Sequence, residues 1–103
     1  MNITISAKDF DLTPAIKDFV SAKMAKLEKF HPNIDRISVE LDVDHNVTKG
    51  MKNRVEVWVR WPGGEVQAGE KAEHMNEAID LVYPKLERQL VKAKEKHPRH
   101  KEE

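Results

Sequence analysis

The stretch RVEVWVRWPGGEVQAG, residues 54–69, decides the fold because it reads as two strands joined by a tight turn. From Arg54 to Trp61 every second residue is a valine or a tryptophan suited to a buried position, which is the period of a strand with one buried face. Pro62-Gly63-Gly64 supplies the turn, since proline presets φ and glycine accepts a positive φ. The chain can then return as a short strand over Glu65–Gly69, so the stretch predicts a β-hairpin.

Two further strands and a helix precede this hairpin. Apolar residues alternate with polar ones from Ile37 to Asp44, and Asn2–Ser6 shows a shorter alternation. Between these strands, Thr13 is placed to cap a helix whose first residue is Pro14. Apolar residues then recur at helical spacing as far as Phe30, where the helix is expected to end.

A long amphipathic helix follows the hairpin, from Glu73 or His74 to about Lys96. The order β-α-β-β-β-α belongs to the α+β class. Its simplest packing is a four-stranded sheet with both helices on one face and a right-handed connection from the first strand to the second. Residues 1–96 are predicted to form one domain, and residues 97–103 a short flexible tail. The residues expected to face water from the other side of the sheet are Glu40, Asp42, Asp44, Glu56 and Trp58.

Length and composition exclude several classes of protein. The 103 residues suit one domain with a modest core, and the absence of cysteine excludes disulfides, thiolate nucleophiles and cysteine-bound zinc. No apolar run approaches the roughly 18 residues that span a bilayer, and the N-terminus lacks the pattern of a secretory signal. We therefore expect a cytoplasmic protein with no membrane partner.

Charge is segregated along a chain that is neutral overall. Residues 1–80 hold 11 basic and 14 acidic side chains, net −3, whereas residues 81–103 hold 7 basic and 4 acidic ones, net +3. In the last helix, basic residues at spacings of 3, 4, 4 and 3 share one outward arc: Lys85, Arg88, Lys92, Lys96 and Arg99. The first helix adds Lys23, Lys26 and Lys29. We expect the two sets to border a basic groove between adjacent helices, suited to a phosphate backbone.

The charged residues also suit simpler roles than phosphate binding. Cations on a solvated helix surface are ordinary, and they favour a helix C-terminus through the macrodipole. Asp42, Asp44 and His45 lie close in sequence, and His97 and His100 are three apart, but a physiological metal site needs more preorganised ligands. No activated nucleophile or phosphate-binding glycine loop stands out. We therefore expect no enzyme, no cofactor and no metal.

Three stretches carry a resemblance to a known family: AKMAKLEKF at 22–30, GGEVQAGEKAE at 63–73 and AIDLVYPKLERQLVKAKEK at 78–96. With the order of elements, they resemble the short ribosome hibernation promoting factors and the related protein Y over about residues 2–96. The resemblance implies a fold similar to a double-stranded RNA-binding domain. It also implies a non-enzymatic protein that binds the small ribosomal subunit near the decoding centre, where mRNA and tRNA would lie. Such factors silence ribosomes in stationary phase, and the short forms promote ribosome dimerisation with a ribosome modulation factor.

The basic positions of this family match basic residues of this chain. The matching residues are Lys23, Lys26, Lys29, Lys85, Arg88 and Lys92. Lys71 matches a position that is basic in some members, and Lys96 joins the predicted rRNA-binding set through its place on the same arc. Two departures stand out, since the family usually reads Asp-Met-Tyr where this chain has His74-Met75-Asn76, and Pro84 replaces a polar helix former. Proline clashes with the carbonyl four residues earlier at a typical cost of about 3 kcal/mol, so a kink near Asp80–Pro84 is expected.

Two functional hypotheses follow from these features. In the first, a monomer contacts rRNA through its helical face, competes with mRNA and tRNA, and silences translation. In the second, the chain is a protein-interaction module that uses the open face or the edge of the sheet. Salt distinguishes the two, because phosphate binding weakens steeply with salt whereas apolar docking does not.

Overall fold

A computed structural model of the chain describes residues 1–46 and 50–101, the last seven of them by backbone alone. The elements are β1 (Asn2–Lys8), α1 (Pro14–Ala25), β2 (Arg36–Val43), β3 (Asn53–Trp61), β4 (Gly64–Ala72) and α2 (Met75–Lys101). The predicted order β-α-β-β-β-α is therefore confirmed.

The four strands form one mixed sheet in the order β1-β2-β3-β4. β1 runs parallel to β2, whereas β2–β3 and β3–β4 are antiparallel pairs. A parallel pair needs a crossover connection, and α1 lies in the connection between β1 and β2. Ile3 lies opposite Ile37, which in turn lies opposite Val59, so the apolar residues of neighbouring strands fall on the same face.

Both helices cover this apolar face, as the sequence predicts. Alternate residues of β2 and β3 are buried and form the floor of the core. α2 packs over β3 and β4, while α1 lies against β1 and α2. The buried side chains that the helical segments contribute are Val20, Met24, Leu27, Met75, Ala78, Ile79, Val82, Leu86 and Leu90. The opposite face of the sheet has no covering layer in the described part of the chain.

The first helix begins where the sequence predicts. The Thr13 hydroxyl accepts a hydrogen bond from the Ile16 amide at 3.3 Å, and Pro14 takes the first helical position. The cap satisfies one of the amides that have no partner within the helix. The α-helix then ends at Ala25, earlier than the apolar pattern suggests.

A 3-10 helix, Lys26–Phe30, replaces the expected last turn of this helix. The Lys26 amide donates to the carbonyls of both Lys23 and Met24, so the chain tightens toward three residues per turn at this point. Lys26 and Lys29 are three apart and therefore point the same way from a 3-10 helix.

The hairpin is confirmed, but its second strand is longer than predicted. A two-residue loop, residues 62–63, joins Trp61 to Gly64, and its glycine has a φ of 95°. β4 then continues past Gly69, because β3 is long enough to pair with it as far as Ala72. Lys71 consequently lies within a strand rather than in the loop before α2.

The second helix runs without interruption from Met75 through Pro84 to Lys101. Its backbone extends past the expected end near Lys96 and continues through Pro98 to Lys101. A separate tail at residues 97–103 stays a prediction, as does the kink at Pro84. Within the described residues, no helix combines the length and the apolar character that crossing a membrane requires.

Replacing Pro84 with alanine is expected to stabilise the domain by about 1 kcal/mol. Proline denies the Asp80 carbonyl its helical amide donor, and alanine would restore that hydrogen bond. Pro84 is exposed, so the substitution removes little packing. Urea unfolding of the two proteins measures the difference in stability. A clear loss of stability in the variant would show that packing of the core depends on the backbone conformation that Pro84 imposes.

Candidate nucleic-acid interface

Three cations of α2 lie on the side of the helix that borders the edge strand β4. The Lys85 Nζ is 2.6 Å from the Glu70 Oε2, and about one turn later the Gln89 Nε2 donates to the Gln67 carbonyl oxygen at 2.9 Å. Two more cations follow Lys85 at helical spacing, and both are exposed. We call this set the α2 flank: Lys85, Arg88 and Lys92.

Lys85 forms an ion pair with Glu70 and remains partly accessible to solvent. The Lys85 ammonium donates to the Glu70 carboxylate and holds the pKa of that carboxyl below its ordinary value, against the opposing effect of burial. The Lys85 side chain is nevertheless 44% exposed. An external anion can therefore reach Lys85, but it must compete with the carboxylate or join it.

The Glu70–Lys85 pair is expected to make stability depend on pH. Because folding lowers the pKa of Glu70, the pair stabilises the protein above the unfolded pKa, about 4.3 for glutamate, and that contribution is lost as pH falls through the folded value. The free energy of unfolding of the wild type should therefore exceed that of Glu70→Gln by up to about 1 kcal/mol near neutral pH. Urea unfolding at several pH values tests this expectation, and a difference that does not shrink in acid would contradict it.

Lys23 meets the opposite side of α2. Its Nζ is 2.8 Å from the Asp80 Oδ1 and 5.3 Å from the centre of the Tyr83 ring. The Tyr83 and Phe30 rings form a T-shaped pair with 6.4 Å between their centroids. Burial raises the pKa of Tyr83, and the negative charge of Glu87 adds to the rise. The junction between α1 and α2 is therefore aromatic and charge-paired.

Lys26 and Lys29 are exposed cations beside this junction. The Lys29 Nζ lies 5.2 Å from the centroid of the Phe30 ring, a distance that suits a cation–π contact. Both side chains project from the 3-10 helix in the same direction. With Lys23 they form a second set, the α1 group: Lys23, Lys26 and Lys29.

The predicted basic groove between the helices is wrong in one respect, because the two sets of cations border different sides of α2. Asp80, which meets Lys23, and Lys85, which meets β4, are five residues apart, or about 140° around the helix. The spacing of the basic residues does not by itself assign the acidic ones to a side of the helix. Asp80 and Glu87 lie on the α1 side and divide the cations into two surfaces.

Lys71 lies on the open face of the sheet and not on the helical side. It is opposite Arg54 of β3, while its neighbour Glu70 points toward α2. The side chain of Lys96 lies outside the described residues. The predicted residues therefore do not form a single patch, and their contact with rRNA stays a prediction.

The residues predicted to face water from the open face of the sheet are mostly carboxylates, but this face is not acidic. Glu40 and Glu56 do face outward, but the Arg54 Nη2 is 2.8 Å from the Asp42 Oδ2, and Asp44 lies just past the end of β2. Besides Lys71, the basic residues that share this face with the carboxylates are Lys8, Arg36, Arg54 and Arg60. The period-two pattern that turns the acidic residues outward applies equally to these cations, so they could have been found from the sequence.

No cluster of three or more candidate metal ligands occurs among the residues that the structure describes. His45 instead connects two loops, with its Nε2 3.0 Å from the Asp9 carbonyl oxygen. The side chains of His97 and His100 lie outside the described part.

Comparison with known families gives a match over nearly the whole chain. The model of the family described as Sigma 54 modulation protein / S30EA ribosomal protein matches residues 3–98. The ribosome hibernation promoting factor of Azotobacter vinelandii is 36% identical over 96 residues, which cover 93% of this chain and 85% of that protein. The factor of the same name from Escherichia coli is 36% identical over 100 residues, covering 97% of this chain and all of that protein.

Two solved structures have the same fold. The N-terminal domain of Protein Y from Thermus thermophilus superimposes with a TM-score of 0.76 at 30% identity, covering 89% of this chain and 98% of that one. A ribosomal subunit interface protein from Coxiella burnetii gives a TM-score of 0.79 over 91% of this chain and 98% of that one. Its identity of 24% supports the fold alone.

Proposed function

The chain belongs to the Sigma 54 modulation protein / S30EA ribosomal protein family, and on this premise we propose that it is a ribosome-binding factor that promotes hibernation. It acts in the cytoplasm on the small ribosomal subunit near the decoding centre, where it occupies the path of mRNA and tRNA. Ribosome dimerisation follows with a ribosome modulation factor on the same ribosome. The observation that carries the proposal is the α2 flank, an exposed cationic surface on a chain related to hibernation factors over most of its length.

The α2 flank suits a phosphate backbone for reasons of geometry. From Lys85 to Lys92 the helix rises about 10 Å, so three cations lie along one rigid edge. Leu86 and Leu90, both fully buried, fix this part of the helix on the sheet. The cations therefore keep their spacing without RNA, and little ordering of the backbone is needed when phosphates bind.

The α1 group supplies a second contact. Lys26 and Lys29 point the same way and are exposed, so they can approach neighbouring phosphates. Lys23 is paired with Asp80 and stacked on Tyr83, which fixes its position at the start of this surface. Because the two groups lie on different sides of α2, the helix is expected to sit between two segments of rRNA.

The proposed mechanism is exclusion and not catalysis. A protein that occupies the path of mRNA and tRNA prevents initiation without breaking or forming a covalent bond. Competition for one site is reciprocal, since each ligand lowers the apparent affinity of the other by the same factor. Hibernation should therefore be reversed when initiation components accumulate.

Displacement by initiation components is the expected result that tests this proposal. Labelled protein is loaded on isolated small subunits, mRNA, initiator tRNA and initiation factors are added, and release is followed by cosedimentation. We expect the bound fraction to fall as these components are raised. Stable occupancy of one subunit by the protein, mRNA and P-site tRNA together would contradict exclusion.

A salt series on the same subunits separates RNA contact from protein docking. Binding through phosphates should weaken steeply as salt rises, with a log–log slope of about −0.7 to −0.9 for each phosphate neutralised. Binding that is insensitive to salt would favour a protein-interaction module and would refute the rRNA assignment.

A further inference from the structure

One row of charged residues crosses the open face of the sheet from edge to edge. Lys8 of β1 is in register with Asp42, Asp42 with Arg54, and Arg54 with Lys71 of β4. Neighbouring strands are about 4.8 Å apart, so the row spans about 14 Å over three gaps. We call these four residues the end row, because they lie where β1 ends and β3 begins.

The end row carries more positive charge than negative. Among the described residues its ion pair is Arg54 with Asp42, at 2.8 Å, and half of the Arg54 side chain remains exposed. Lys8 and Lys71, at the two ends of the row, are exposed as well. The row therefore presents three cations against one carboxylate on a rigid surface of strands.

The adjacent row across the sheet carries negative charge. Two residues toward the middle of the sheet, Glu40 lies directly opposite Glu56, an arrangement of like charges that is unfavourable in isolation. These carboxylates repel phosphate and confine an anionic ligand to the end row. The same boundary excludes a polyanion that would lie across the whole sheet.

The end row is continuous with the α2 flank around the edge of the sheet. Glu70 points to the helical side and pairs with Lys85, while the next residue, Lys71, turns to the open face opposite Arg54. One step along β4 thus connects the two cationic surfaces. This continuity favours a nucleic acid over an acidic protein, because a ligand of one chemistry can follow both surfaces.

We propose that the end row is a second phosphate-binding surface that holds an rRNA segment on the open face of the sheet. The inference rests on the proposed function, since it gives the bound protein contacts with RNA on two opposite faces. Arg54 supplies a planar guanidinium able to bind a phosphate through two hydrogen bonds, and the two lysines extend the contact toward both edges. A protein held in this way fills a channel between RNA walls and does not merely lie on one of them.

Directed hydroxyl-radical probing tests this arrangement, and the chain suits it because it has no native cysteine. In one sample the iron chelate is attached to Ser6→Cys, which lies on the open face beside the end row. In a parallel sample it is attached to Leu81→Cys, an exposed position one turn before Lys85 on α2. We expect both probes to cut rRNA in the small subunit, at different nucleotides. Cutting from Leu81→Cys alone would overturn the end row and leave the proposed function intact. Cutting from neither would overturn both.

A charge-neutralising variant provides an independent measurement. Lys8→Gln/Arg54→Gln should weaken subunit binding and reduce the salt slope by about two units, whereas Lys17→Gln, an exposed lysine on α1, should leave both unchanged. An unchanged slope in the double variant would refute phosphate contact by the end row. Weaker binding without rRNA cutting from Ser6→Cys would assign the surface to an acidic ribosomal protein and refute the RNA assignment.

Discussion

Reversing the charge of the whole α2 flank, with Lys85→Glu, Arg88→Glu and Lys92→Glu combined, is expected to abolish binding to isolated small subunits. Three attractive contacts become repulsive, and a loss of about 1 kcal/mol for each corresponds to a decrease in affinity of roughly 100-fold or more. Residual binding should have a salt slope smaller by about three units. Cosedimentation across a salt series measures both quantities.

The matched control for this variant is Lys94→Glu. Lys94 is exposed on the same helix, but it lies nine residues after Lys85 and therefore about 180° around the axis. Because Lys94 is on the α1 side of α2 and outside both cation sets, its reversal should reduce affinity far less than the triple variant does, while altering the net charge in the same direction. If the triple variant keeps a native circular dichroism spectrum and binds as tightly as wild type, the α2 flank is not the interface.

Truncating Leu86 to alanine is expected to cost the domain about 2–5 kcal/mol of unfolding free energy. Leu86 is fully buried where α2 crosses the sheet, so the variant loses transfer free energy and leaves a cavity that close-packed neighbours fill only in part. That loss is a large fraction of the roughly 5–15 kcal/mol by which domains are usually stable. Urea denaturation gives the value directly.

Val91→Ala is the companion measurement on the same helix. Val91 is 36% exposed, so its truncation should cost much less than that of Leu86. Both variants should bind subunits with nearly normal affinity under conditions where they remain folded, because neither carries charge. Equal losses of stability at the two positions would contradict the assignment of one face of α2 to the core.

The sequence is sufficient for the architecture because the strands and helices follow simple periods. Alternation in residues 37–44 and 54–61 predicts two half-buried strands, and the Thr13-Pro14 pair predicts the start of α1. The end of that helix is not predictable in the same way. The apolar positions Met24 and Leu27 fit an α-helix and a 3-10 helix equally well, so only the backbone hydrogen bonds decide between them.

The candidate site is predictable residue by residue but not in its arrangement. Helical spacing correctly groups Lys85, Arg88 and Lys92, because positions on one helix follow a fixed angle. The relation of this set to Lys23 depends on how α1 and α2 pack, which spacing along each helix does not contain. Lys71 shows the same limit, since its face is decided by the length of β4.

The hydrogen bond from Gln89 to the Gln67 carbonyl has a consequence for the behaviour of the protein at high concentration. β4 is at the edge of the sheet, and an edge strand presents amides and carbonyls that can template strand addition by another chain. Gln89 occupies one of these carbonyls from α2, and charged residues at Glu65 and Lys71 flank it on the same strand. The contact that anchors the helix therefore also makes β4 a poorer template for strand addition, so that fibril-like self-assembly of the free protein is disfavoured.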